Sequence, residues 1–309
     1  MITTELKAIF NNLPNRIIAT VHKDPDYDAI GSLLAFNELI KSLNGDVTLL
    51  APDMNKKQFQ NLPGIKNIQT TPKSEYDLAF FLDCSDKNRI FKPKSFPAVK
   101  KMVNIDHHQD NTLFGDINIV KNISSVGELL FNLFIELNID ISIETATNLY
   151  AAICFDTGNF KFSNTTASTF ITASKLLEKG VNASKISEWI FEQKPKNYFH
   201  DVREGLNNMH IDSELPFMIV HIPNHPNISR ESTINFFREM ENIELIVVCK
   251  EVKKSEFRIS FRSKQSINVA NLAKEFNGGG HIRAAGATIH STFSELNNQL
   301  LNQIRKHFL

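Results

Sequence analysis

Cysteine is scarce in this 309-residue chain, with only Cys84, Cys154 and Cys249. Their spacing makes neither a metal-ligand motif nor a disulfide framework, and such a pattern suits a reducing compartment. An excess of one charge is missing too, since 34 basic residues balance 34 acidic ones. Proteins that coat long nucleic acid carry a basic surplus, so that class is set aside. A pocket for a short, phosphate-bearing ligand is not. No apolar run reaches the ~20 residues of a membrane span, and residues 1–7 lack the charged-then-apolar pattern of a secretion signal. The expectation is a cytoplasmic protein with no membrane partner. Repeats and low-complexity tracts are also lacking, and the length suffices for two domains.

What the chain does have is a set of apolar runs that stop at ligating side chains. Val103-Asn-Ile105 ends in Asp106-His107-His108. Arg16–Val21 runs into His22, Asp26 and Asp28, Asp77–Leu82 into Asp83, and Ala151–Phe155 into Asp156. Strands that stop this way deliver side chains to the carboxyl edge of a sheet, where α/β proteins place their sites. Any one of these could be a cap or a surface residue. Asp28, where helical spacing resumes through Ile30, Leu33, Leu34 and Leu39, reads by itself as a helix cap. Pro25 biases Asp24 toward an extended shape. Gly31 leaves room for another chain or a ligand to approach.

The remaining pattern predicts strands at Asp46–Leu50 and Lys101–Ile105, and helices at Glu5–Phe10, Ser125–Leu137, Ile143–Phe155, Thr166–Lys179 and Ala183–Phe191. Strands alternating with helices indicate an N-terminal doubly wound, mainly parallel α/β domain over residues 1–190. A polar stretch with one proline follows, and residues 191–213 read as a linker with a short helix to about Met209. Residues 214–309 read as a smaller α/β domain. Its expected elements are strands Phe217–Ile222, Leu245–Cys249, Glu256–Arg262 and Ala287–Ile289, and helices Glu231–Met240, Val269–Phe276 and a terminal one.

Mixed carboxylate and imidazole donors suit manganese, zinc or iron. The set is larger than one ion needs, so two ions sharing a carboxylate is the natural reading. Two ions ~3.5–4 Å apart clamp an in-line phosphoryl displacement. A structural zinc site would be richer in cysteine. Cys84 and Cys154 read as small buried residues.

The motifs His22-x-x-x-Asp26-x-Asp28, Asp83, Asp106-His107-His108 and Asp156-Thr-Gly resemble those of the DHH phosphoesterase superfamily. Gly278-Gly279-Gly280-His281-x-x-Ala-Ala-Gly286 is similar to the hallmark of its DHH-associated C-terminal domain. Order and spacing cover nearly the whole chain, and the two-domain size resembles the stand-alone bacterial nanoRNase branch.

The resemblance implies that His22, Asp26 and Asp83 hold one divalent ion. Asp28, Asp83, His107 and Asp156 would hold the other, with manganese the family's usual ion and a hydroxide between the two as nucleophile. It makes His108 the donor to the scissile phosphate, with Asp106 orienting a histidine. Arg262, Gly278, Gly279, Gly280 and His281 become the substrate grip, a planar guanidinium beside glycine amides that crowd a phosphate. Arg89 and Arg283 are weaker candidates for that grip. Tyr27, Phe160 and Phe162 could stack on a base, although core packing is the plainer reading of each.

The implied activity is hydrolysis of very short RNA, di- to about pentanucleotides, to mononucleotides, and removal of the 3′-phosphate from 3′-phosphoadenosine 5′-phosphate. Short RNA and a nucleoside bisphosphate would be its partners, long nucleic acid would not, and a homodimer is compatible with the family. Cyclic-di-AMP or linear di-adenylate phosphodiesterase is the alternative. A RecJ-like DNA exonuclease, a family II pyrophosphatase and a non-catalytic nucleotide-binding module rank behind it.

Overall fold

The computed structural model describes residues 3–72, 75–90, 96–226, 228–229 and 232–308. The chain divides into two units, Met1–Gln193 and Lys194–Leu309, each built on its own sheet.

In the first unit, α1 (Thr4–Asn11), β1 (Ile17–Thr20), α2 (Tyr27–Ser42) and β2 (Val47–Leu50) precede β3 (Tyr76–Leu82), β4 (Val99–Asp106) and β5 (Ile117–Val120). Helices α3 (Val126–Glu136), α4 (Ile143–Asp156), α5 (Ala167–Glu178) and α6 (Ala183–Ser187) follow, and a π-helical turn over Glu188–Glu192 ends the run expected as one helix. The strands are all parallel in the order β2-β1-β3-β4-β5, the doubly wound pattern. Side chains alternate across the pleat. Ile17, Ala19 and Phe80 enter the helix-lined core with Phe36 and Leu149. Ile18, Ala79 and Phe81 face the opposite side, where Ile90, Phe96 and Phe114 from connecting loops cover them. The order reverses at β1, so its carboxyl end and that of β3 open a crevice.

Three helices beside that crevice interlock through glycine. A Cβ on Gly31 of α2 would lie 2.5 Å from the Asn148 carbonyl oxygen of α4, and one on Gly127 of α3 would lie 2.5 Å from the Ala152 Cβ. The close neighbour foreseen at Gly31 is therefore the backbone of α4. Two expectations nearby give way. Asp26, not Asp28, is the N-cap of α2, its Oδ1 accepting from the amides of Asp28 and Ala29. Asp24 adopts φ +49 rather than an extended shape. The proline ring excludes the right-handed region for its predecessor, and aspartate tolerates the left-handed one.

The second unit begins inside the stretch expected as a linker, with α7 (Lys196–Asn207) and β6 (Met209–Ile211). It continues with β7 (Phe217–Ile222), α8 (Ile234–Phe237), β8 (Leu245–Lys253), β9 (Glu256–Ser263), α9 (Val269–Lys274), β10 (Gly279–His281), β11 (Ala284–His290) and α10 (Phe293–Phe308). Helix α8 is shorter than expected, and Glu231, its anticipated start, lies outside the described residues. The mixed sheet runs β10-β11-β9-β8-β7-β6, with only β7 and β8 parallel. Phe217, Ile219 and Phe261 pack with α9 and α10 on one face, whereas Met218, Val220 and Ile246 pack with Ile234 and Phe237 on the other. Helix α7 is fastened by Asp201, fully buried, which pairs with the Lys250 ammonium at 2.7 Å and with His225 at 2.8 Å.

The substitution Gly31→Ala forces a methyl into the α4 backbone, and overpacking of that kind costs about 1–3 kcal/mol. Urea unfolding should show that loss, with the m-value unchanged.

Candidate metal centre

The crevice gathers every carboxylate and imidazole that the sequence sent to a strand or helix end. His22 follows β1, Asp26 and Asp28 open α2, Asp83 follows β3, Asp106 to His108 close β4, and Asp156 ends α4. Asp83 stands at the middle. Its backbone is left-handed, φ +56, a strained state that clusters at functional sites. Its Oδ2 lies 3.4 Å from His22 Nε2, while its Oδ1 lies 3.5 Å from His107 Nε2 and 3.4 Å from His108 Nδ1.

Two clusters meet there. In the first, the donor atoms of His22, Asp26 and Asp83 lie within 4.8 Å of one another. In the second, Asp28, His107 and Asp156 do the same, with His107 Nε2 3.0 Å from Asp156 Oδ2 and 3.8 Å from Asp28 Oδ2. Asp28 is completely buried. It accepts from the Val126 and Gly127 amides at the start of α3 (2.8 and 2.9 Å) and from Ser32 Oγ (3.1 Å). Positive ends of two helices thus converge on one carboxylate. Asp156 has the opposite setting, a helix C-terminus, where a negative charge is disfavoured. His107 Nε2 is the nitrogen donor beside it.

The tautomers bear on the same cluster. His22 Nδ1 lies 2.6 Å from the Lys23 carbonyl, and His107 Nδ1 lies 3.2 Å from that of Ile123. A carbonyl only accepts, so each Nδ1 carries hydrogen, and a neutral ring turns the lone pair of Nε2 toward carboxylate oxygens. Asp83 Oδ1 is buried and faces His107 Nε2 at 3.5 Å. Acceptors facing acceptors repel unless a proton or a metal lies between them. Nitrogen and oxygen donors in this mixture fit a divalent transition ion.

With protons alone, the ionisations show the strain. Burial pulls His22 down, but the hydrogen bond to Asp83 and the charges of Asp83 and Asp26 carry it up to about 9. His107 is likewise opposed by burial and raised well above the ordinary histidine range by Asp156 and Asp83. Desolvation and the charge of Asp83 push Asp26 up to about 6 and also raise Asp28 well above the usual carboxylate range. Burial would raise Asp83, yet hydrogen bonds from His107 and His22 hold it well below the usual carboxylate range.

Asp106 stands apart from these clusters' open oxygens. Its Oδ1 accepts from the His107 amide and from His108 Nδ1, both at 2.8 Å, and its Oδ2 accepts from Asn111 at 2.5 Å. That bond and the charges of Asp83 and Asp106 raise the His108 pKa against the pull of burial. Asn111 also donates to the Asn104 side chain (2.8 Å) and to the Cys84 carbonyl (3.1 Å), and Asn104 ties back to Cys84 at 3.0 Å. Neither asparagine was singled out from the sequence. The available signal was Asn104, a polar residue inside the apolar run Val103-Asn-Ile105.

Cys84 and Cys154 are fully buried, and desolvation raises both thiols, Cys154 to about 12, so neither offers a thiolate. Tyr27 is a core residue, edge-on to Phe59. Arg89 is exposed, and Arg283 donates to the Ile267 carbonyl at 2.8 Å.

The remaining expected residues lie in the second unit. Arg262, on β9, donates to the Phe261 carbonyl at 3.0 Å, and desolvation together with the charge of Arg238 lowers it to about 10. The glycine string is strand rather than open loop, with Gly279, Gly280 and His281 pairing with Gly286, Ala285 and Ala284. Packing explains two of its glycines. A Cβ on Gly278 would meet the Gly286 carbonyl oxygen at 2.2 Å, and Gly280, at φ +142, would meet that of Ala284 at 2.5 Å.

Comparison with known proteins gives the family and the fold. Residues 16–153 match the DHH family, N-terminal domain, and residues 219–308 match the DHHA1 domain. The bifunctional oligoribonuclease and PAP phosphatase NrnA of Thermus thermophilus is 28% identical over 280 residues, covering 88% of this chain and 84% of that protein. The protein of the same name from Bacillus subtilis is 26% identical, with 91% of each covered. An exopolyphosphatase-related protein from Bacteroides fragilis shares the fold, at TM-score 0.86 and 24% identity, over 98% of this chain and 95% of that one.

A pH prediction follows for the metal-free protein. The folded pKa of His22, about 9, exceeds its unfolded value near 6.5. Folded protein therefore holds the extra proton, and the stability it brings is complete below pH ~6.5 and lost as pH rises through ~9. Thermal melts should fall by a few degrees across that window. His22→Gln should flatten the fall, and so should a saturating divalent ion, which replaces the proton.

Proposed function

This chain belongs to the DHH family and carries a DHHA1 domain, and from that premise we propose that it is a divalent-metal phosphoesterase of very short RNA. Its substrates are di- to about pentanucleotides, cleaved to mononucleotides, and 3′-phosphoadenosine 5′-phosphate, from which it removes the 3′-phosphate. The observation that carries this reading is the meeting of two donor clusters at one carboxylate, Asp83. Full-length likeness to proteins named for both activities supports the substrate class.

His22, Asp26 and Asp83 would hold one ion, and Asp28, Asp83, His107 and Asp156 the other, and manganese is among the ions this donor mixture suits. Bound there, such ions neutralise charge on a phosphoryl group and lower the pKa of water. The protein's own groups do the rest. Asp26 uses one oxygen to cap α2 and leaves Oδ2 toward His22. The α3 amides fix Asp28 so that only Oδ2 also faces His107. Asp106 fixes the proton of His108 on Nδ1 and favours the imidazolium, whose Nε2–H donates to a phosphate oxygen as negative charge develops. No covalent enzyme intermediate is needed.

In the second unit, Arg262 and the segment Gly278–His281 would grip a terminal phosphate. Two guanidinium groups, Arg238 and Arg262, feel each other's charge, and a bound anion relieves that repulsion. Among the described residues no helix is long and apolar enough to cross a membrane.

Purified protein with Mn2+ should be assayed against diribonucleotides, a five-mer, a twenty-mer, phosphoadenosine phosphate and cyclic-di-AMP. Fast turnover of the dinucleotides, the five-mer and phosphoadenosine phosphate is expected, and chelation should abolish it until Mn2+ is restored. Asp83→Asn should lower kcat about a thousandfold or more, and Asp106→Asn about 10–100-fold. Intact dinucleotides beside a degraded twenty-mer would overturn the reading, and preferential turnover of cyclic-di-AMP would move the substrate class.

A further inference from the structure

A cavity of about 450 Å3 adjoins the centre on its β4–β5 side, with His107, His108, Gln109, Leu113, Lys121 and Asn122 among the residues that line it. That volume is in the range of small-molecule sites. Leu113 is anomalous in two independent ways. It is 59% exposed, and its backbone is left-handed at φ +53, where a non-glycine residue is strained. Its neighbour Phe114 packs inward on Phe81, so the fold spends a strained turn to keep Leu113 out of the core.

The turn is held from both sides. The Leu113 amide donates to Asn111 Oδ1 at 2.7 Å, and its carbonyl accepts from Asn118 at 3.2 Å. Asn111 is the same side chain that donates to Asp106, which in turn orients His108. The exposed leucine is thus fixed in register with the catalytic histidine. Across the cavity, Gln109 Nε2 lies 3.4 Å from Asn122 Oδ1. Both residues are exposed, and Gln109 Oε1 and Asn122 Nδ2, which take no part in that contact, offer an acceptor and a donor to a ligand. Paired amide groups of this kind match the donor–acceptor edges of nucleobases.

We propose that this cavity is a nucleoside subsite, with Leu113 the apolar platform under the base next to the scissile phosphate and Gln109 and Asn122 the groups that meet its edge. The assignment rests on the phosphoesterase reading and specifies which part of the first unit holds the substrate's base. An apolar side-chain contact reads no hydrogen-bonding edge and so accepts any base, and the amides, each able to donate or accept, add only modest preference.

The test compares a diribonucleotide with analogues in which one residue or the other is abasic, using the Mn2+-loaded full chain. Wild-type protein should prefer the intact substrate by about tenfold in KM over one of the two abasic forms, a difference of about 1.4 kcal/mol. Leu113→Ala should lose that preference through KM rather than kcat, and Leu113→Met should restore it. Leu113→Gly separates binding from folding. Glycine suits φ +53, so this variant should melt at or above the wild-type temperature and still lose the preference. If wild-type protein cleaves no dinucleotide, the phosphoesterase reading fails and takes this one with it. If it cleaves them and Leu113→Ala and Leu113→Gly keep the preference, this assignment alone is wrong.

Discussion

Electrostatic repulsion among buried acceptors is the constraint on which the first unit is built. Asp28 and Asp83, both buried, converge with the partly buried Asp26 and Asp156 and with ring nitrogens of His22 and His107. Isolated burial of even one carboxylate is costly. The fold answers with the amides of α2 and α3, the glycine-tight contact of α4, and a left-handed turn at Asp83. These devices offset part of the repulsion. The remainder is what a bound cation would relieve.

Much of this was legible beforehand because the ligating residues sit where periodicity changes. An apolar run that stops at Asp83 or at Asp106-His107-His108 marks a strand end whatever the rest of the fold. The doubly wound order then brings such ends together. The cap of α2 was misassigned because Asp26 and Asp28 are both chemically able to cap, and only the placement of α3 decides that Asp28 is needed elsewhere. Asn104 and Asn111 escaped notice because a single amide has no period. Their function exists only when β3, β4 and the following loop are adjacent.

In the second unit, the strands and the helices α9 and α10 followed from alternation and helical spacing, whereas β5 of the first unit, β6 and β10 did not. Each spans three or four residues, and none carries an apolar run like the Ile17-Ile18-Ala19 that marked the equally short β1. The glycine string shows how one sequence feature admits two explanations. Its missing side chains admit β11 and α9 at close range, a packing need that would select glycine even if no phosphate ever came near. Composition alone does not separate those causes.

The double duty of Asp28 bears on how descent with lost activity would look. That carboxylate buckles the first turn of α2 to the first turn of α3, so a lineage that had abandoned catalysis would remain under selection to keep it. Asp156, at the disfavoured end of α4 and with no amide to hold, has no such second employment. In a degenerate relative it should be the first of the acidic set to drift, which makes it the better single marker of a living enzyme.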